Sequence, residues 1–149
     1  MPATVVAEGP RLMHRGPIAI DLLGKLEWMR CSIGQFWEEE TCKGKPVKLT
    51  LSQVPEVAAR FEQLDDGGWR LPTRDELEAL VSDNEKPPMI NLETFPNTPP
   101  DKYWTSKSNF LNPRNHWVVN FYTGYRYGRV FPNQSQYVRL VRNRKKIRF

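Results

Sequence analysis

Gly68-Trp69-Arg70-Leu71-Pro72-Thr73-Arg74-Asp75-Glu76-Leu77, continued by Glu78-Ala79-Leu80-Val81, is the stretch on which the fold turns. Thr73 and Glu76 have the spacing of a capping box, in which the hydroxyl accepts from the backbone N–H three residues on and the carboxylate reaches back to the first N–H. A helix is therefore expected from Thr73, with Leu77, Leu80 and Val81 as its buried stripe. Pro72 keeps Leu71 extended and has no N–H to give a ladder, so a strand must end where the helix begins. Trp69, Arg70, Pro72, Thr73 and Glu76 are read as the structural parts of this corner, with Trp69 as core anchor. Carboxylates in a helix first turn already serve the helix dipole, which assigns Asp75 and Glu76 to architecture.

Working outward, the upstream segment offers an N-cap at Ser52 and tolerates Pro55 in the first turn. Val54, Val57, Ala58, Phe61 and Leu64 recur at helical spacing, and Asp65-Asp66-Gly67-Gly68 ends that helix. Further back, Ile18 to Arg30 reads as two short strands around Gly24, with Trp28 buried. Residues 1–17, punctuated by Gly9-Pro10 and Gly16-Pro17, read as an N-terminal arm. Downstream, the 20 residues from Ser82 to Asp101 carry Pro87-Pro88, Pro96 and Pro99-Pro100 and are expected to be one long loop. Every later signal is β: Tyr103 to Ser108 with Trp104 inside, a hairpin of His116–Tyr122 and Tyr125–Phe131 around Thr123-Gly124, and a last strand from Gln136 to Arg142. Residues 18–142 are thus one α+β domain, and 143–149 form a basic tail.

The chain has 149 residues, 39% of them hydrophobic, enough for a core without a metal. No run reaches the ~18 apolar residues of a membrane span, so no membrane insertion is expected. The first residues lack a basic region and an apolar stretch, and the expectation is a protein made without a signal peptide, in a virion or the cytoplasm, a secreted location being less supported. Cys31 and Cys42 enclose a short loop; both a disulfide and two free thiols remain open. Zinc wants four ligands, and His14 and His116 lie far from the cysteines in sequence, so no metal or cofactor is expected.

Net charge is +5, unevenly distributed. Residues 1–101 hold 11 Lys/Arg against 17 Asp/Glu, whereas residues 102–149 hold 11 Lys/Arg and no acid. That imbalance points to a polyanion or to an acidic surface on a neighbouring copy.

Several words of the sequence, in order, resemble a bacterial domain family found at the C-terminus of the Legionella collagen-like adhesin. They are Leu26-Glu27-Trp28-Met29-Arg30-Cys31, Gly34-Gln35-Phe36-Trp37 up to Cys42, Trp69-Arg70-Leu71-Pro72-Thr73 with Glu76-Leu77, Phe95-Pro96-Asn97-Thr98, Tyr103-Trp104-Thr105-Ser106 and Tyr137-Val138-Arg139-Leu140-Val141-Arg142. The resemblance implies a C-type-lectin-like fold, in which two helices flank a small, mostly antiparallel sheet and a long loop region displays a binding face. It also implies binding: the adhesin relatives attach to sulfated polysaccharides, and phage lectin-like domains of related fold present aromatic surfaces to receptors.

Calcium-dependent sugar binding needs clustered carboxylates, which the chain beyond residue 101 lacks. Oxidases of related fold that generate formylglycine need a late cysteine pair, and both cysteines here come early. No serine–histidine–carboxylate motif is recognisable. The expected ligand-binding residues are therefore Tyr122, Tyr125, Arg126, Tyr127 and Arg129 at the hairpin, with Lys107 and Arg114, because tyrosine and arginine dominate binding hot spots. Trp104 and Trp117 are expected in the core. Arg142, Arg144, Lys145, Lys146 and Arg148 are the expected polyanion-binding set, nucleic acid included. The function expected is a non-enzymatic recognition module, a receptor- or glycan-binding component of a phage tail or bacterial surface assembly and part of an oligomer. The alternatives are a structural assembly subunit and a cytoplasmic regulator binding nucleic acid or an acidic protein.

Overall fold

A computed structural model of the chain describes residues 12–62 and 67–144. The N-terminal hairpin pairs β1 (Met13–Arg15) with β2 (Ile18–Asp21), and β2 with β3 (Leu26–Met29). At the β2–β3 turn the Asp21 carboxylate accepts from the Gly24 N–H at 2.8 Å. A short hairpin follows, β4 (Phe36–Glu38) and β5 (Thr41–Lys43), whose turn residues Glu39 and Glu40 have positive φ. Its acidic tip is exposed to solvent, as a solvated turn should be.

Two short helices come next: α1 (Val54–Ala59), entered through a 3₁₀ turn at Leu51–Gln53, and α2 (Arg74–Glu78). Three strands complete a second antiparallel sheet, β6 (Lys102–Ser108), β7 (His116–Asn120) and β8 (Tyr125–Val130), in that spatial order. β9 (Val141–Asn143) closes the first sheet, giving the order β1-β2-β3-β9. The architecture is α+β, with mostly antiparallel sheets and two short helices.

Strand alternation explains the core. Ala19 and Trp28, opposite each other on β2 and β3, join Leu77, Leu80, Ile90, Phe95, Tyr103 and Phe121 in one apolar cluster. Ile18 and Ile20 point the other way, into a cluster with Trp69, Trp104, Val118, Val138 and Leu140. Burial on both faces requires apolar residues at consecutive positions, which Ile18-Ala19-Ile20 and Val118-Val119 supply.

Several expectations change in detail. Residues 13–15, assigned to an arm, pair with β2 as a strand. The first helix starts earlier and stops sooner than its stripe predicts. The Thr50 N–H donates to Gln53 Oε1 at 2.9 Å, so Thr50 and not Ser52 opens the segment. After Ala59 the chain tightens to i→i+3 bonds, with the Phe61 N–H donating to the Ala58 carbonyl. Leu64, the expected last residue of the stripe, lies outside the described residues. The strand expected over 136–142 enters a ladder only at Val141. Upstream it meets a different partner every residue or two: Gln136 bridges Leu49, Tyr137 bridges Tyr103, and the Val138 and Leu140 carbonyls accept from Ile33 and Met29. It is a spine linking both sheets.

The 82–101 segment contains no named strand or helix, as its prolines dictate. It is nonetheless packed: Ile90 and Phe95 are fully buried, and the Asn84 amide bonds the carbonyls of Pro88 (2.8 Å) and Ile90 (2.9 Å).

Candidate functional site

The Trp69–Leu77 corner is built as its spacing requires. The Thr73 hydroxyl accepts from the Glu76 N–H at 3.1 Å, and the Glu76 carboxylate accepts from the Thr73 N–H at 2.8 Å. Arg70 donates to both oxygens of that carboxylate, at 2.8 and 3.0 Å, and to Asn143 on β9 at 2.7 Å. Burial alone would push the Glu76 carboxyl up; Arg70 and Thr73 together outweigh it and hold the group below its ordinary range. Pro72 gives its carbonyl to the Ser106 N–H at 2.8 Å, where a bulge in β6 frees that donor from the ladder. Thr73, Glu76 and Arg70 thus satisfy one another and tie the corner to β9.

Three arginines that a charge count places on the surface are turned inward. Arg142 is buried against Glu27 at 2.8 Å, with its guanidinium 4.4 Å from the Trp69 ring centre. This corrects its assignment to a polyanion surface: pairing with β3 across Glu27↔Arg142 points the side chain into the fold. Arg30 donates to the carbonyls of Thr94 (2.8 Å), Gly16 (3.0 Å) and Glu93 (3.0 Å) while stacking on Trp37. Arg139 is fully buried and bonds the Arg30 carbonyl (2.6 Å), the Met29 carbonyl (3.0 Å) and the Thr98 hydroxyl (2.8 Å). No carboxylate faces it among its described partners; instead its guanidinium lies over Phe95 and Tyr103. Burial lowers the Arg139 pKa despite the opposing pull of Tyr103, and burial raises that of Tyr103, whose hydroxyl hydrogen-bonds Ser32.

Arg30 and Arg139 clamp the long loop, through Glu93, Thr94, Phe95 and Thr98. Asn97, at positive φ, completes the clamp: its amide donates to the Cys42 carbonyl at 2.8 Å, and Gln35 donates to its own carbonyl at 3.0 Å. Cys31 and Cys42 form a disulfide, settling the open alternative and fixing the hairpin that Asn97 holds. The clamp has no direct sign in the sequence, since an arginine bonding backbone carbonyls has no partner residue type to look for.

The outward surface is the β6-β7-β8 sheet. Tyr122, Tyr125 and Tyr127 are 58%, 69% and 40% exposed, whereas Tyr103, Trp104 and Phe121 of the same sheet region are fully buried. Register explains the tyrosines: Tyr125 pairs with Asn120 and Tyr127 with Val118, so both project from one face of the edge strand β8. Arg126 takes the opposite face, where Glu78 of α2 accepts from it at 3.0 Å. It is separated from the tyrosines with which it was grouped. Trp117 is not a core residue either. It is half-buried between Arg74 (4.8 Å) and Arg126 (5.8 Å), and a Cβ on Gly128 would stand 2.7 Å from its ring.

Lys107, Arg114 and Arg129 are exposed at the other end of this sheet, where Ser108, His116 and Val130 lie in register. Between Tyr127 and Val130 β8 carries one residue more than β7, a bulge that breaks the alternation before Arg129. At about 3.4 Å per residue the strand places the two ends about 14 Å apart. The predicted site is thus two places, a tyrosine tip and a cationic end. Of the expected polyanion set, Arg144 is half-buried and donates its N–H to the Lys25 carbonyl, while Lys145, Lys146 and Arg148 lie outside the described residues.

The residues that sequence reasoning passed over are Phe110 and Leu111, 87% and 88% exposed between β6 and β7, and Asn115 beside them. Their signal was legible: an apolar pair set among Asn109, Asn112, Pro113 and Asn115 is an apolar pair in a turn.

A stapled interior carrying exposed tyrosines at one end of a sheet and, at the other, cations with no ion pair among the described residues defines an α+β module of the binding or adhesion type. The chain belongs to the Lcl C-terminal domain family, whose model matches residues 18–142. None of the curated proteins compared with the chain matches it.

Proposed function

We propose that the chain is a non-enzymatic recognition module that binds a glycan or receptor surface through the tyrosine tip of its β7–β8 hairpin, as a component of a phage tail or bacterial surface assembly. The observation that carries this reading is the contrast within one sheet: three tyrosines in six residues stand in water while their aromatic neighbours are fully buried. Tyrosines buy contact area at low entropy cost, with a hydroxyl at the rim. The Tyr127 hydroxyl lies 3.2 Å from the Thr123 hydroxyl, which steadies the tip before any ligand arrives. A C-type-lectin-like reading of the architecture is in keeping with this: the C-terminal strand β9 closes on β3 of the N-terminal sheet, and the 82–101 loop is held against a fixed interior.

Binding of the full chain to a glycan array, with and without chelator, tests the proposal. Binding that survives the chelator and falls more than about tenfold in Tyr122→Ala/Tyr125→Ala/Tyr127→Ala is expected. Binding that needs a divalent ion, or that the triple substitution leaves intact, contradicts it.

A further inference from the structure

The loop between β6 and β7 runs Asn109-Phe110-Leu111-Asn112-Pro113-Arg114-Asn115, and its asparagines hold it in one shape. The Asn109 N–H donates to the Asn115 carbonyl (2.9 Å), Asn112 to Asn109 (3.2 Å) and Asn115 to Asn112 (2.9 Å). The Asn109 side chain accepts from the Leu111 N–H at 3.0 Å and donates to the Gly128 carbonyl at 2.7 Å. Phe110 and Leu111 therefore stand in water on a braced loop. Two adjacent large apolar side chains held out of the core mark an interaction surface more often than an accident of packing.

Beside Leu111 lies a hollow of about 360 Å³ lined by Asn109, Leu111, Asn112, Asn115 and Arg129. Asn115 is only 6% exposed, yet its Oδ1 accepts no hydrogen bond among the described residues. A buried acceptor in that state calls for a donor from outside. Arg129 lines the same hollow and, among the described residues, carries no ion pair, and neither do Lys107 and Arg114 nearby in the chain. No acid follows Asp101 in the sequence to neutralise them.

We propose that this end of the sheet binds the surface of an anionic phospholipid bilayer. Phe110 and Leu111 enter the apolar layer below the headgroups, and Arg129 takes a lipid phosphate at the hollow. The Asn115 side-chain Oδ1 accepts from a hydroxyl or ammonium of the headgroup, and Lys107 and Arg114 lie over neighbouring phosphates. A phospholipid carries an apolar chain, a phosphate and a donor-bearing headgroup on one molecule, the three chemistries that this loop and hollow offer together. The contact is peripheral: no described helix is long and apolar enough to cross a membrane. It is independent of the tyrosine tip, which lies at the far end of β8.

Co-sedimentation of the full chain with vesicles tests this. Binding is expected to vesicles of phosphatidylcholine with phosphatidylglycerol and not to phosphatidylcholine alone. Phe110→Ser/Leu111→Ser should lower the partition more than about tenfold, and Arg129→Gln about fivefold, with melting unchanged because these side chains are exposed. Phosphatidylglycerol should bind severalfold better than phosphatidylmethanol, which has the same charge and no headgroup donor. Equal binding of those two lipids would remove Asn115 from the site and overturn the headgroup assignment. Failure to bind phosphatidylglycerol vesicles, or binding indifferent to the Phe110/Leu111 substitution, overturns the proposal. Displacement by soluble glycerol phosphate as strong as by the vesicles themselves would make free phosphate the ligand and overturn the lipid source.

Discussion

Arginine does opposite work in two regions of this molecule. Around the 91–98 loop and the spine, Arg30, Arg139 and Arg142 are buried and spend their donors on carbonyls, a hydroxyl and one carboxylate. At the far end of the β6-β7-β8 sheet, Arg114 and Arg129 are exposed, as is Lys107. The same sequence third supplies members of both sets, so its lack of acid describes two environments at once. A charge count alone would have assigned Arg139 and Arg129 to one surface. The lesson is that charge in this chain acquires meaning only from register: Arg142 faces Glu27 because β3 and β9 pair there.

The largest effect that would sharpen this contrast belongs to Trp69. It is buried between Arg142 and the apolar cluster, so Trp69→Ala should cost about 3–5 kcal/mol in urea unfolding. If that variant kept its stability and lost only binding, the corner would be a site and not a joint. The disulfide comes next. Replacing Cys31 and Cys42 together by Ser should cost about 2–4 kcal/mol, and it should loosen the grip of Asn97 on the Cys42 carbonyl. Faster hydrogen exchange across 91–98 in the double-Ser variant, with β7 unaffected, is the expected signature.

A smaller effect isolates the corner's electrostatics. The Glu76 pKa is held below its ordinary value in the fold, so the carboxylate contributes stability at pH values above the usual carboxylate range. That contribution is lost as pH falls through the lowered folded value. Glu76→Gln should therefore cost about 1 kcal/mol near neutrality, and its unfolding curve should converge with that of the wild-type chain in acid. A gap that stayed constant across that range would show that the carboxylate's charge contributes nothing.

The corner was readable because a capping box and a proline act through neighbours in sequence, and Thr73 to Glu76 form what the spacing requires. The strands of the hairpin were readable for the same reason, since alternation is local. What sequence did not reveal depends on distant backbone. Arg139 bonds the carbonyls of Met29 and Arg30, more than a hundred residues away. The spine from Gln136 to Leu140 changes partner too often to form a ladder, a fact no periodicity records. Arg126 was misplaced because alternation puts it on the face opposite its tyrosines, against α2. Phe110 and Leu111 were passed over because their signal lies in the turn residues around them and not in a periodic run.

The division between inward and outward cations is tested most directly by comparing thermal melts of two variants. Arg139→Met removes one buried guanidinium; Lys107→Gln/Arg114→Gln/Arg129→Gln removes three exposed charges. The first takes the guanidinium donors from the buried Met29 and Arg30 carbonyls and leaves the Thr98 hydroxyl only its bond to the Phe95 carbonyl, at a cost of about 3 kcal/mol or more, which for a domain of this size lowers the melting temperature by about 10 °C. The second should melt within about 2 °C of the wild-type chain. A triple variant as destabilised as Arg139→Met, or an Arg139→Met chain that melts normally, would contradict the division.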